Sequence, residues 1–591
     1  MSFVLADRLV KTEDSNGNWF KYDYDKTDKT SKKENYVGGK LYSTSFEFDK
    51  DGKTTKVALP SGKSLGYSYD TIGRTKSKTL NLGNSKTFNT QYGYKEGYAG
   101  SGTSMVSSIK NGSSEIKYTY DKSGRIETVD NGKVIKYYYD SLGQVVREDN
   151  GELNKTIAYT YDESGNILKV AEYALTSNAT LGAATKSVDY SYGDSNWKDK
   201  LTSYNGKAIT YDAIGNPLTY DGYTFKWEGG RTLSSITGND KNISYKYNSD
   251  GIRTEKTVNG VNYKYTLEGS NVVYEEITNG SNVDRIFYNY GDKGLVGFVL
   301  NDTEQYFYAR NAQGDIIGII NSIGKQVVSY TYDTWGKLIS ITGDKVLGEK
   351  NPYRYRGYRY DTETGYYYLQ SRYYNPEWGR FLNADGLVST GQGFIGYNMF
   401  AYCLNNPVNA TDPNGFRPIY TQGEETDKMR EASYQAVKKM YINKHNYKLN
   451  NWYRPPNIDY KTFYSDIEVL KFSINKPESL LKVLLIGGEA GLAKVYKEYK
   501  YFGWYLDTPH IDSAIGLDIS WDNFIVSAYG KLALIEGGAS VYIPIPFTNR
   551  KLEIGGAVDM FSIGGGIGIY DNKFKIGAHY GYGYDLFLGI K

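Results

Sequence analysis

The sequence predicts a mainly β chain, with a long antiparallel sheet of short hairpins followed by a smaller α+β domain that contains a glycine-rich β-meander. Three observations lead there. Tyr (62) and Gly (66) are abundant while Pro is scarce (13). An aromatic-x-Tyr-Asp-x-x-Gly motif recurs through the first two-thirds, and the composition changes after Arg417. Tyrosine suits strands, where one ring face packs and the hydroxyl reaches a partner. Glycine beside it marks tight turns rather than helices. A chain of 591 residues also exceeds what one core organises.

Copies of the motif are Tyr67-Ser68-Tyr69-Asp70 with Gly73, Tyr118 to Asp121 with Gly124, and Tyr137 to Asp140 with Gly143. Tyr159 to Asp162 with Gly165, Thr210-Tyr211-Asp212 with Gly215, and Tyr330 to Asp333 with Gly336 continue the series, and Tyr245 to Asn248 is a degenerate copy. Tyr-x-Tyr places both rings on one strand face. Asp then accepts backbone N–H groups while Gly takes positive φ, so each copy is a hairpin corner. Repetition at this scale means an extended or wrapped sheet. The Tyr-Asp pairs read first as structural turns; stacking of exposed tyrosine rows on carbohydrate is the weaker alternative.

The stretch from Pro352 to Asp385 holds Tyr353-Arg354-Tyr355-Arg356-Gly357, Asp361, Gly365-Tyr366-Tyr367-Tyr368-Leu369, Arg372-Tyr373-Tyr374-Asn375-Pro376 and Gly379-Arg380-Phe381-Leu382. Asn405-Asn406-Pro407-Val408 and Asp412-Pro413-Asn414-Gly415 follow. Together these resemble the Rhs-associated core, and residues 18 to 415 are similar to the Rhs/YD-repeat family. The resemblance implies a spiralling sheet shell over 1–350, a core and junction over 351–416, and a variable effector-like domain over 417–591. The repeat region is short for the family, so a partial cocoon with an exposed sheet edge near its N-terminus is expected.

The resemblance also implies a polymorphic toxin used in interbacterial competition, with an immunity protein as partner. Many members cut themselves at the junction by chemistry similar to an aspartic protease, one ionised carboxylate activating water and the other, protonated, polarising the carbonyl. By position the candidates are Asp385 and Asp412, with Arg372 or Arg380 as charge partner, and the cut falls near Phe416. This chain has Asp385-Gly386 where the family has Asp-Pro, and Gly gives a looser backbone. The alternative is that Asp412-Pro413-Asn414-Gly415 is only a type I turn.

Seventy basic residues against 67 acidic ones give a net charge of +3, so the shell is expected to bind no nucleic acid. Cys403 is the sole cysteine, which excludes an intrachain disulfide and a cysteine metal cluster. No metal or cofactor is expected. The N-terminus lacks a signal-peptide stretch, so a secreted or cell-surface protein would use another export route or be part of a longer precursor.

After Arg417, apolar spacing predicts helices at about 426–445 and 477–499, then a β-meander over 513–591. Leu480 to Val495 is too short and too charged for a membrane-spanning helix. His445, His510 and His579 form no metalloprotease or nucleophile-elbow motif. Asp507-Thr508-Pro509-His510-Ile511-Asp512 reads first as a polar loop and second as part of a metal-dependent nuclease. Three readings remain for this domain: a membrane-active toxin acting on a target-cell membrane, a soluble toxin or binding module, and a nuclease. For the whole chain, a non-enzymatic cell-surface binding or structural protein is the further alternative.

Overall fold

The computed structural model describes residues 2–3, 8–97, 101–387 and 394–420, together with strands lying between 458 and 590. It divides into one unit of residues 1–439 and another of residues 440–591.

In the first unit, 32 strands form one sheet in which each pairs antiparallel with the next in sequence, from Ser2–Phe3 to Leu338–Gly343. Among the described residues no pairing joins the last strand back to the first. The repeat explains this regularity. At Asp121 the carboxylate accepts the N–H groups of Ser123 (2.9 Å) and Arg125 (2.9 Å), and Gly124 has φ +77°. The corners at Asp70, Asp140, Asp162, Asp212 and Asp333 repeat this geometry, and Asn248 reproduces it with an amide oxygen.

The two tyrosines of each copy divide the work. The first is core: Tyr118, Tyr137, Tyr159, Tyr245 and Tyr330 are buried. The second ties the sheet backwards, because its hydroxyl donates to a carbonyl 13 to 16 residues earlier. Tyr69 reaches Thr54 (2.6 Å), Tyr120 reaches Val106 (2.7 Å), Tyr139 reaches Ile126 (2.6 Å) and Tyr332 reaches Ile316 (2.8 Å). That bond satisfies a carbonyl beside the corner; the corner at Asp49 has Phe48 in the same place and forms without it.

The sheet curls until distant strands face one another. Phe20 and Val37 pack with Val273, Phe287 and Val299, while Leu65, Leu80 and Leu82 pack with Phe307 and Ile320. Tyr42 stacks on Phe287 with ring centroids 3.8 Å apart. Among the described residues helix is limited to Lys345–Lys350, capped by Asp344, and three short 3-10 turns.

Residues 352–387 and 394–415 fill the space between the walls. Their aromatic residues, among them Tyr355, Tyr367, Tyr374, Trp378 and Tyr402, join Val145, Ile167 and Ile243 of the sheet in the largest apolar cluster. Buried ion pairs fasten the segment. Asp361 is bidentate to Arg253 (2.6 and 2.9 Å) and meets Lys256 at 3.0 Å, and Arg359 pairs with Glu275 at 2.9 Å.

In the second unit the described residues are all in strands, which form one antiparallel sheet of six rows. Ile458–Ser473 pairs with Ser479–Glu498, which pairs with the row Phe502–Asp507 plus His510–Ser520. That row pairs with Phe524–Ala533 plus Ile535–Pro544, then come Lys551–Tyr570 and Lys573–Ile590. Residues 479–498 are therefore a strand and not the expected helix. Gly487, Gly488 and Gly491 would each cost a helix interior about 1 kcal/mol, and neighbours on both sides supply ladder partners instead. The helix expected at 426–445 lies outside the described residues. Among the described residues no helix is long and apolar enough to cross a membrane.

Candidate functional site

Arg372, in the bend between the strands Tyr366–Tyr368 and Tyr373–Asn375, enters the core beneath the ring of Phe381, with its guanidinium carbon 3.5 Å from the ring centroid. Its Nη2 lies 2.9 Å from Asp385 Oδ2 and 3.3 Å from Asp412 Oδ2, so one nitrogen joins both carboxylates. Nη1 donates to the Met399 carbonyl at 3.0 Å, and Nε donates to the carbonyl of Gly415. All three side chains are almost inaccessible to solvent.

Each carboxylate is fixed by backbone as well. Asp385 Oδ1 accepts the Leu387 N–H at 2.9 Å, and the Asp385 N–H donates to the Met399 carbonyl. Gly386 therefore does not leave the side chain loose. Asp412 Oδ1 accepts the Arg417 N–H at 3.1 Å, and the Asp412 N–H donates to the Tyr358 hydroxyl at 2.9 Å. Tyr358 is in turn bonded to Thr411 (2.5 Å) and Tyr402 (3.1 Å).

Burial raises both carboxyls above the ordinary range, and Arg372 pulls each back. Asp412 is pushed up to about 6, the neighbouring Asp385 adding to the rise. A carboxyl that keeps its proton to near-neutral pH beside an ion-paired one is the electrostatic arrangement of an acid–base pair.

Gly415 carries the peptide that these groups surround. Its φ is +76°, and a Cβ there would sit 2.6 Å from Ser371 Oγ and 2.8 Å from the Leu369 carbonyl oxygen, so only glycine fits. Ser371 holds the approach by donating N–H (3.1 Å) and hydroxyl (2.7 Å) to the Asn414 carbonyl. A cavity of about 10 Å³, lined by Arg372, Asp385, Met399, Leu404 and Pro418 among others, adjoins Asp385. That is the lower limit of room for one water.

Of the residues singled out in the sequence, Asp385, Asp412 and Arg372 come together. Arg380 does not join them: its guanidinium is committed to the Asp199 carbonyl (2.7 Å), the Asn166 side chain and the Tyr192 hydroxyl. Phe381 already covers Arg372 on the strand Arg380–Phe381, and alternation sends Arg380 to the other side. Tyr358, Phe381 and Met399 were not foreseen. Tyr358 is 54 residues from Asp412, and nothing in its own motif points there.

Comparison with known proteins agrees with the repeat reading. The Teneurin YD-shell family profile matches residues 130–408. The tRNA nuclease WapA of Bacillus subtilis is 39% identical over 264 residues, 44% of this chain and 11% of the relative. Toxin protein Tse5 of Pseudomonas aeruginosa is 45% identical over 64 residues, covering 11% of this chain and 5% of the relative. The chain thus spans about a tenth of the length of the first curated relative. Among solved structures, the crystal structure of TcdB2-TccC3-Cdc42 covers 68% of this chain and 24% of its own, at 18% identity and a TM-score of 0.48.

Proposed function

We propose that this chain, a YD-repeat protein of the Rhs type, works as a polymorphic toxin whose sheet shell carries the C-terminal domain beyond residue 416. The junction separates the two by cutting its own backbone beside Phe416. The observation that carries this reading is the Arg372 nitrogen shared by Asp385 and Asp412, with the same guanidinium on the Gly415 carbonyl.

The residues divide the reaction as follows. Asp385, paired with Arg372, takes a proton from a water in the adjoining cavity. The water oxygen adds to the Gly415 carbonyl carbon, and the Arg372 Nε–H neutralises charge developing on the carbonyl oxygen. The Asp412 proton passes to the amide nitrogen of Phe416 as the C–N bond breaks, leaving a carboxylic acid on Gly415 and a free amine on Phe416, with the water's other proton on Asp385; the new acid then gives its proton to the amine. Tyr358 and the Arg417 N–H hold Asp412 in place for that transfer.

In this reading the protein is secreted or presented at a cell surface and serves competition between bacteria, with an immunity protein guarding the producer. A nuclease cargo is the second reading, favoured by the tRNA nuclease activity in the name of the first relative.

Wild-type, Asp385→Asn and Asp412→Asn proteins are compared on denaturing gels and by intact mass. Two associated pieces from the wild type, split beside Phe416, and single intact chains from both variants are expected. Intact wild-type protein under all conditions would reduce the element to a turn.

A further inference from the structure

Strand register in the second unit sorts its residues onto two faces of different chemistry. In the hairpin of Lys551–Tyr570 with Lys573–Ile590, the even positions from 574 to 590 carry only Phe, Ile, Ala, Tyr and Leu. Their cross-strand partners begin as Leu552, Ile554 and Met560. One register shift, between Met560 and Ser562, then brings Ile563, Ile567 and Ile569 onto the same face. Without that bulge the second half of the strand would present its apolar residues on the opposite side.

The same face continues across the other rows. Leu532 lies opposite Ile563, Ile519 opposite Phe524, and Val483 opposite Leu517. Of the charged residues placed by these registers, only Lys497 shares this face. The rest fall on the other one, interleaved with glycines; Asp559, Asp518 and His579 are examples.

Dimensions decide what can cover the apolar face. Strands of 20 and 18 residues extend about 60 Å or more at ~3.3 Å per residue. Strands of soluble domains seldom exceed about ten residues, and these two exceed even the roughly nine to eleven that a tilted strand needs to cross a bilayer, so each is long enough to span one. Six rows at ~4.8 Å spacing give a face of very roughly 1,600 Å². The unit's longest stretch outside these strands is residues 440–457, 18 residues. Even as a helix about 27 Å long and 10 Å wide, that segment would cover a small fraction.

We propose that this sheet enters a lipid bilayer with the apolar face against acyl chains and the charged, glycine-rich face lining an aqueous passage. Among the described residues Ile458–Ser473 and Lys573–Ile590 each have one neighbour in the sheet, and backbone inside a bilayer must be fully paired. Copies of the chain therefore close the passage edge to edge. The inference names the target of the carried domain and rests on the carried-toxin reading for its delivery.

The test uses the full chain with Cys403→Ser and single cysteines introduced in turn at 574 to 589, each bearing a polarity-sensitive dye. The probe membrane is a phosphatidylethanolamine–phosphatidylglycerol vesicle loaded with carboxyfluorescein. Expected are release of the contents and a blue shift with period two, at even positions only. Ile576→Asp and Leu586→Asp should cut release at least tenfold, and Ser562→Asp, on the other face, should leave it within twofold. Intact vesicles, or equal shifts at odd and even positions, overturn the inference. Release by a wild-type chain that never splits would uphold it while refuting self-cutting, and split protein that leaves vesicles intact would do the reverse.

Discussion

Raising the pH from 5 to 8 should slow the split beside Phe416 by roughly two orders of magnitude. The magnitude comes from Asp412, whose carboxyl is pushed up to about 6 by burial and by Asp385, against the pull of Arg372. If the protonated form delivers the proton to the leaving amine, its fraction is about 0.9 at pH 5, about 0.09 at pH 7 and about 0.01 at pH 8. The same shift fixes the sign of a stability effect. The folded value lies above the ordinary 3.8, so the contribution is fully present below pH 3.8 and is lost as pH rises through about 6. Two units correspond to at most about 3 kcal/mol. Uncut chain recovered in urea and diluted into buffers from pH 4.5 to 8 gives the first-order rate from band intensities. A rate that is flat or rises between pH 5 and 7 would refute the assignment of Asp412 as the acid.

Asp361→Asn should be among the most damaging single changes in the shell, since it leaves Arg253 and Lys256 buried without their shared carboxylate. About 3–5 kcal/mol of destabilisation is expected, read from urea midpoints of the Asp412→Asn background. Tyr120→Phe removes the hydroxyl that donates to Val106 and should cost about 1 kcal/mol, with Tyr332→Phe similar. Gly415→Ala forces a Cβ against Ser371 and the Leu369 carbonyl at positive φ. It should slow the split at least tenfold while thermal unfolding of the shell changes by only a few degrees. Arg372→Ala should abolish the split, because it removes the common partner of both carboxylates and the donor to the Gly415 carbonyl.

The repeat was legible because its physics is local. An Asp three residues before a Gly specifies its own turn whatever lies around it, and the corners at Asp70, Asp121 and Asp162 fold as their spacing implies. Asp385 and Asp412 were legible by position in the junction motif, yet the choice of Arg372 over Arg380 was not. Both arginines sit in the same motif, and only the alternation of the short strand Arg380–Phe381 separates them. Tyr358 escaped notice because its role depends on a contact across 54 residues. Residues 479–498 misled for a different reason. Their apolar spacing fits a helix face, while the period-two pairing that sets the strand becomes visible only beside its neighbours.

The backward hydroxyl bonds have a kinetic consequence. Each reaches only 13 to 16 residues, as do the hairpin ladders themselves, so the sheet is built from contacts of low sequence separation. Such contacts close with little loop entropy and can propagate corner by corner as a chain emerges. The pairs that fasten residues 352–415 are different, since Arg253 meets Asp361 across 108 residues and Asn405 meets Gln144 across 261. Those long loops close late, and Arg372 approaches Asp385 and Asp412 only once they have. For the proposed cut the order of folding would therefore act as a timer: wall first, plug second, chemistry last.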